Sequence, residues 1–131
     1  MKFVGPQFDQ EKREAFAAAD LFVLPSYSEG APMTVLEALG AGVPVLTTKA
    51  SPCEYLVTQH CGWWPEISES SIAEALKSAL KQPIGELREM GKRGRDLVSD
   101  KYTWDKIAEQ TLMLYDWLLE RGPQPDFIVK E

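Results

Sequence analysis

Between positions 21 and 48 the chain reads LFVLPSYSEGAPMTVLEALGAGVPVLTT, and few folds accommodate that order of residues. Leu21 to Leu24 is an apolar run without a polar break, the pattern of a strand buried on both faces. Pro25 ends it, and Ser26 to Ala31 form a polar loop around Gly30. Pro32 suits the first turn of a helix, where its missing N–H costs nothing. The helix is expected over Met33 to Ala41, stopped by Gly42 and Pro44. Val43 to Thr48, β-branched and apolar, reads as a second strand. Strand, helix and strand at this spacing make a parallel crossover, right-handed by the twist of its strands.

Ligands of such units bind at the carboxyl end of the strand, where loop and helix start meet. Free N–H groups and the helix dipole favour anions or electron-rich oxygens there. The loop adds Glu29 and the helix adds Glu37, each able to accept hydroxyls from a sugar or ribose. On a helical wheel Val35, Leu36 and Leu39 form the buried stripe. Glu37 lies away from it, beside Met33, Gly40 and Ala41. It stands roughly 7–8 Å along the axis from Pro32, so the two carboxylates could grip separated parts of one elongated ligand. Spacing alone leaves open that both are ordinary exposed acids.

The ordered string SYSEGAPMTVLEALGAGVPVLTT resembles the donor-site signature of retaining glycosyltransferases of the GT-B fold, the glycosyl transferases group 1 family. There a glutamate, seven residues and a second glutamate follow a Pro-Ser strand end, as Glu29 and Glu37 do here. The likeness continues through AADLFVLPS upstream and through CGWW and YTW downstream, over nearly the whole chain. The resemblance implies a three-layer, Rossmann-like parallel sheet with helices on both faces, part of a GT-B C-terminal domain. It implies transfer of a sugar from a nucleotide diphosphate sugar, with retention and without metal or organic cofactor. Glu29 would contact hydroxyls of the donor sugar, orienting it rather than attacking it as a nucleophile. Glu37 would bind the ribose. The backbone of Gly30, Ala31, Pro32, Met33 and Thr34 would face the sugar and diphosphate. Ala31 stands where many members carry an aromatic side chain, which bears on sugar preference.

The family has two Rossmann-like domains, and the chain resembles the later part of the second. The expected partners are therefore a nucleotide-sugar donor, a saccharide or lipid-linked acceptor, and an N-terminal domain that the sequence lacks. The strand whose Arg and Lys neutralise the diphosphate in relatives is also lacking, so the isolated chain is expected to be inactive. Bacterial surface-polysaccharide assembly is the expected pathway, from the family's common uses. A GT-B sugar-nucleotide epimerase is an alternative, as is a non-catalytic nucleotide-sugar-binding or docking module.

Composition bounds the rest. At 131 residues the chain is one small domain, long enough for a core. A net charge of −6 without a basic cluster to offset it argues against nucleic acid as partner. No run of about 20 apolar residues offers a transmembrane helix, and the N-terminus lacks a signal peptide's apolar core. The expected location is the cytoplasm, with the inner membrane face reached through regions beyond this sequence. Cys53, Cys61 and His60 match no zinc spacing, and the cysteines read as free.

In chain order, Lys2 to Gly5 reads as a first strand and Asp9 to Ala19 as a helix. Pro52 opens a helix over Cys53 to Gln59, with Glu54 either answering the helix dipole or contacting a ligand. Gly62 to Pro65 is a short strand or a packed loop, its tryptophans core fillers or sugar platforms. Ser70 to Lys81 is an amphipathic helix with Ile72, Ala75, Leu76, Ala79 and Leu80 on one face. Gly85 to Val98 is another, carrying Lys92, Arg93 and Arg95 as a solvated face or a phosphate clamp. Trp104 to Glu120 has a strong helical period, and residues 122–131 read as a loose tail. In GT-B enzymes the helix matching 104–120 packs against the other domain.

Overall fold

The computed structural model describes residues 1–129 of the chain. It divides into two compact units, Met1–Val98 and Ser99–Glu131. The first holds a parallel sheet of three strands, β1 (Phe22–Leu24), β2 (Val45–Thr47) and β3 (Gly62–Trp63), in that spatial order. Phe22 pairs with Val45 and Leu24 with Thr47, while Val45 also pairs with Gly62. Parallel neighbours require helical crossovers, and here α2 (Met33–Gly40) joins β1 to β2 and α3 (Tyr55–Thr58) joins β2 to β3. Helices on both sides complete the α/β fold. Around these lie α1 (Asp9–Ala17), α4 (Glu69–Leu80) and α5 (Ile84–Lys101).

β2 is buried along its whole length, as expected for the middle strand of a parallel sheet. α2 buries Val35, Ala38 and Leu39 in the core that also takes Leu56, Cys53, Cys61 and Leu97. Leu36, expected in that stripe, is half-buried and Ala38 takes its place. Pro32 sits at the N-cap rather than inside the first turn. α5 lays Met90, Gly91, Gly94 and Leu97 inward. A Cβ on Gly91 would fall 1.9 Å from the carbonyl oxygen of Gly42, so α5 rides directly on the backbone that ends α2.

Lys2 to Gly5 do not form the expected strand. A strand is held by its neighbours' backbone, and no described strand pairs there. Phe3 and Val4 are exposed, so neither ladder bonds nor burial fix the segment. Leu80 is exposed instead of sharing the face of Ile72 and Ala79, because it is the final residue of α4 and the chain turns away at Lys81.

Three helices close with a left-handed residue in the same hydrogen-bond frame. Gly42 (φ 81°) follows α2, His60 (φ 51°) follows α3 and Glu120 (φ 58°) follows α6 (Trp104–Leu118). In each the residue beyond bonds back five positions, Val43 to Ala38, Cys61 to Leu56 and Arg121 to Asp116. This closure ends α6 two residues before the expected Glu120. α6 belongs to the second unit and is capped by Thr103, whose hydroxyl accepts from the Lys106 N–H at 3.4 Å. None of its residues is buried. Beyond it, residues 122–129 contain neither helix nor strand, with Pro125 buried and Gln124 Nε2 donating to Ile128 O. Residues 130 and 131 of the expected tail lie outside the described residues.

Candidate functional site

Both loops at the carboxyl ends of β1 and β2 are tied together by hydroxyl groups. Thr47 and Thr48 end or follow β2, and Ser51 lies four residues past Thr47; all three are fully or almost fully buried. Thr47 Oγ1 donates to Leu24 O at 2.9 Å and lies 2.9 Å from Ser51 Oγ. Ser51 Oγ is also 2.8 Å from Thr48 O, and Thr48 Oγ1 bonds Ser26 O. Trp64 Nε1 donates to Ser51 O at 2.9 Å. Buried hydroxyls cost free energy unless paired, and among the described residues every buried side-chain polar atom has a partner.

Glu29 hangs from this frame. Its N–H donates to Ala50 O at 3.1 Å, and Ser26 Oγ donates to its Oε1 at 2.7 Å. The carboxylate is thus held at the strand ends with its second oxygen uncommitted by that bond. Gly30, Ala31, Met33 and Thr34 are exposed around the start of α2, whereas Pro32 is buried. Pro32 provides no side-chain acceptor for the first turn, so the amide end of α2 is open to a ligand.

Glu37 sits one turn further along α2 in a different environment. Lys12 Nζ of α1 lies 2.7 Å from its Oε1, and both side chains are roughly one-third exposed, at 39% and 37%. Together they line a cavity of about 560 Å³ with Asp9, Arg13, Phe16 and Gly40. That wall does not include Glu29. The structure therefore gives the two glutamates separate anchorages, one on the hydroxyl frame and one on α1.

Other sequence candidates resolve into packing roles. Arg93 donates from Nε to His60 O at 2.8 Å and from its guanidinium to Glu86 at 2.9 Å. Arg95 donates to Ala41 O at 2.9 Å. These arginines serve the carbonyl ends of α3 and α2, neither of which carries a basic residue in its last turn. Lys92 and Arg95 are exposed and Arg93 is half-buried, as the solvated-face reading has it, and the two arginines add these carbonyl bonds to it. Glu54 occupies the N-cap of α3, exposed and making no side-chain cap bond. Trp64 packs against the core, with Lys49 5.7 Å above its ring and paired to Glu66. Cys53 and Cys61 are free and buried, and burial pushes the Cys61 thiol up to about 11. Among the described residues no three His, Cys, Asp or Glu side chains gather in a metal-binding group.

Sequence reasoning passed over Ser26, Thr47, Thr48, Ser51 and Lys12. The signal for the first four is the change from apolar to hydroxyl residues within VLTT and again at Ser51, at the end of a strand otherwise built for burial. Lys12 gives no such signal, since it meets Glu37 across 25 positions.

Fold and site define a parallel α/β domain whose loop and helix amides gather at the strand ends. The chain belongs to the glycosyl transferases group 1 family, of GT-B type, whose profile matches residues 1–97. It is 29% identical to the sucrose-phosphate synthase of Thermosynechococcus elongatus over 92% of this chain and 31% of that one, with a TM-score of 0.76. A solved structure of WaaG, a glycosyltransferase involved in lipopolysaccharide biosynthesis, aligns at 31% identity over 77% of this chain and 28% of that one, with a TM-score of 0.63. Among curated relatives, the MMP alpha-(1->4)-mannosyltransferase of Mycolicibacterium hassiacum is 25% identical over 86% of this chain and 28% of its own length. The chain thus spans less than a third of the length of these relatives.

Proposed function

We propose that this chain is the donor-binding portion of a glycosyltransferase that moves a hexosyl group from a nucleotide diphosphate sugar to a saccharide or lipid-linked acceptor. The anomeric configuration is retained. The observation that carries this reading is Glu29, held at the strand ends by Ser26 and Ala50 immediately before the open amide end of α2.

In the proposed reaction the bond between the anomeric carbon and the diphosphate oxygen breaks as an acceptor hydroxyl oxygen bonds to that carbon. The transition state is oxocarbenium-like, so stabilising the departing diphosphate dominates the barrier. Glu29 accepts hydroxyls of the sugar and orients it. Glu37 accepts hydroxyls of the ribose. The backbone from Gly30 through Thr34 faces the sugar and diphosphate, with α2's dipole favouring the anion. The reaction draws on no metal or organic cofactor.

The acceptor and the remaining diphosphate charge are met by an N-terminal domain outside this sequence, so the chain alone turns nothing over. The exposed apolar residues of α6, among them Trp104, Leu112, Tyr115 and Leu118, are covered by that same domain. A relative named as lipopolysaccharide glucosyltransferase supports bacterial surface-polysaccharide assembly as the pathway. Among the described residues no helix is long and apolar enough to cross a membrane; the reading places the enzyme in the cytoplasm, at the inner membrane face.

Amide-shift titration with UDP, GDP and their sugar conjugates tests the reading. Shifts grouped at Gly30 to Glu37 for one nucleotide, and lost in Glu37→Ala, are expected. Shifts that ignore this segment, or that persist in Glu37→Ala, would refute it, as would turnover by this chain alone for the predicted inactivity.

A further inference from the structure

Glu37 is proposed as a ligand for ribose, yet it is already engaged. Lys12 Nζ occupies Oε1 at 2.7 Å from across 25 positions of chain. The pair lies on the wall of an open cavity of about 560 Å³, with small Gly40 beside Glu37 and Asp9, Arg13 and Phe16 opposite. A carboxylate offers about four acceptor sites over two oxygens, and one ammonium bond leaves Oε2 for a hydroxyl pair. A free carboxylate would rotate about its terminal torsion, which is broad and poorly fixed by sterics. A carboxylate held through Oε1 presents Oε2 in one direction.

Charge adds a second effect. The chain carries −6 overall, and its two candidate donor ligands are both acids. A nucleotide diphosphate brings further negative charge within a Debye length of Glu37. Lys12 cancels the carboxylate's charge where that repulsion would act. Arg13, the other cation on this wall, is turned to Gln10 Oε1 at 3.0 and 3.3 Å.

We infer that Lys12 is a positioning residue for donor binding. It aims Glu37 at the ribose and offsets its charge against the diphosphate. The inference rests on the donor-site reading of Glu37 proposed above, and it assigns to α1 a role in ligand affinity.

Calorimetric titration of the chain with UDP and GDP, and with uridine and guanosine, tests it in wild type, Lys12→Met, Lys12→Arg, Glu37→Gln and the double variant Lys12→Met/Glu37→Gln. Both residues are partly exposed, so melting temperatures should stay close to wild type and report intact folding. For the nucleotide that binds, Lys12→Met is expected to weaken the diphosphate about tenfold, with a smaller loss for the nucleoside. Lys12→Arg should keep most of the affinity. For the nucleoside, which carries no phosphate charge, Lys12→Met should cost little more once Glu37 is Gln, because the lysine then acts only through the carboxylate. Affinity that falls in Glu37→Gln but is unchanged in Lys12→Met would overturn the inference and leave the donor site standing. An equal loss of nucleoside affinity for Lys12→Met with and without Glu37 would also overturn it, since the lysine would then act without the carboxylate. Absence of nucleotide binding, or indifference to Glu37→Gln, would overturn the donor-site reading and this inference together.

Discussion

Replacing Gly91 by alanine should unfold much of the margin that keeps this domain together, although helix propensity predicts the opposite. Gly91 is in the interior of α5, where alanine is favoured over glycine by about 1 kcal/mol. The added methyl would stand 1.9 Å from Gly42 O and 2.7 Å from the Gly42 carbonyl carbon, whereas nonbonded atoms settle at about 3.5–4.0 Å. The obstacle is backbone, and Gly42 is itself fixed by its left-handed φ of 81° and by the closure of α2. Relief therefore requires α5 to retreat, loosening Met90, Gly94 and Leu97 from the core. Overpacking costs about 1–3 kcal/mol, occasionally more. With a rigid obstacle the upper end applies, leaving about 2 kcal/mol of net destabilisation after the propensity gain.

Two further glycines in the same helix make internal controls. A Cβ on Gly94 meets Leu39 Cδ2 at 2.6 Å, the end of a side chain that can turn, and one on Gly85 meets nothing within 4 Å. Urea unfolding followed by circular dichroism should rank Gly85→Ala at or above wild type, Gly94→Ala below it and Gly91→Ala lowest. A Gly91→Ala protein as stable as Gly85→Ala would refute the claim that α5 rides on the Gly42 backbone.

Other outcomes follow from the same structure. Thr47→Val keeps shape but removes one bond to Leu24 O and one to Ser51 Oγ, which keep the Ser26 N–H and Thr48 O as partners, and should cost about 0.5–1.5 kcal/mol per bond in urea unfolding. His60→Gly relieves a left-handed φ of 51° and should raise stability by about 1 kcal/mol, measured the same way. Cys61 should resist a thiol reagent at pH 8 in the folded protein and react on denaturation, since burial raises its thiol from 9.0 to about 11. The folded state holds that proton more tightly than the unfolded state. The thiol's contribution is therefore complete below pH 9 and declines toward pH 11, which pH-dependent melting would register as a falling melting temperature.

The crossover from β1 through α2 to β2 was legible because its signals are local: an unbroken apolar run, a proline at a helix start and a glycine at its end. Glu29, just past the end of β1, was legible for the same reason. Helix ends were less so, because α3 and α6 close on His60 and Glu120 in conformations that glycine usually marks. Lys2 to Gly5 has strand composition, but composition cannot supply a pairing partner. Arg93 and Arg95 look like surface charges in sequence; their acceptors, His60 O and Ala41 O, lie 33 and 54 positions away. The Lys12–Glu37 pair is hidden likewise, since ion pairs between elements leave no periodicity.

The loop from Ser26 to Ala31 draws its support mainly from the end of β2, through Thr48 to Ser26 and Ala50 to Glu29. Between those two hooks Tyr27 and Ser28 are exposed, as are Gly30 and Ala31 just beyond. Mutational drift there is uncoupled from the folding of the sheet. A lineage could exchange these side chains, and an engineer could graft them, at little risk to the scaffold. The fold thus separates a hydroxyl-bonded frame from exposed positions that can change without disturbing it.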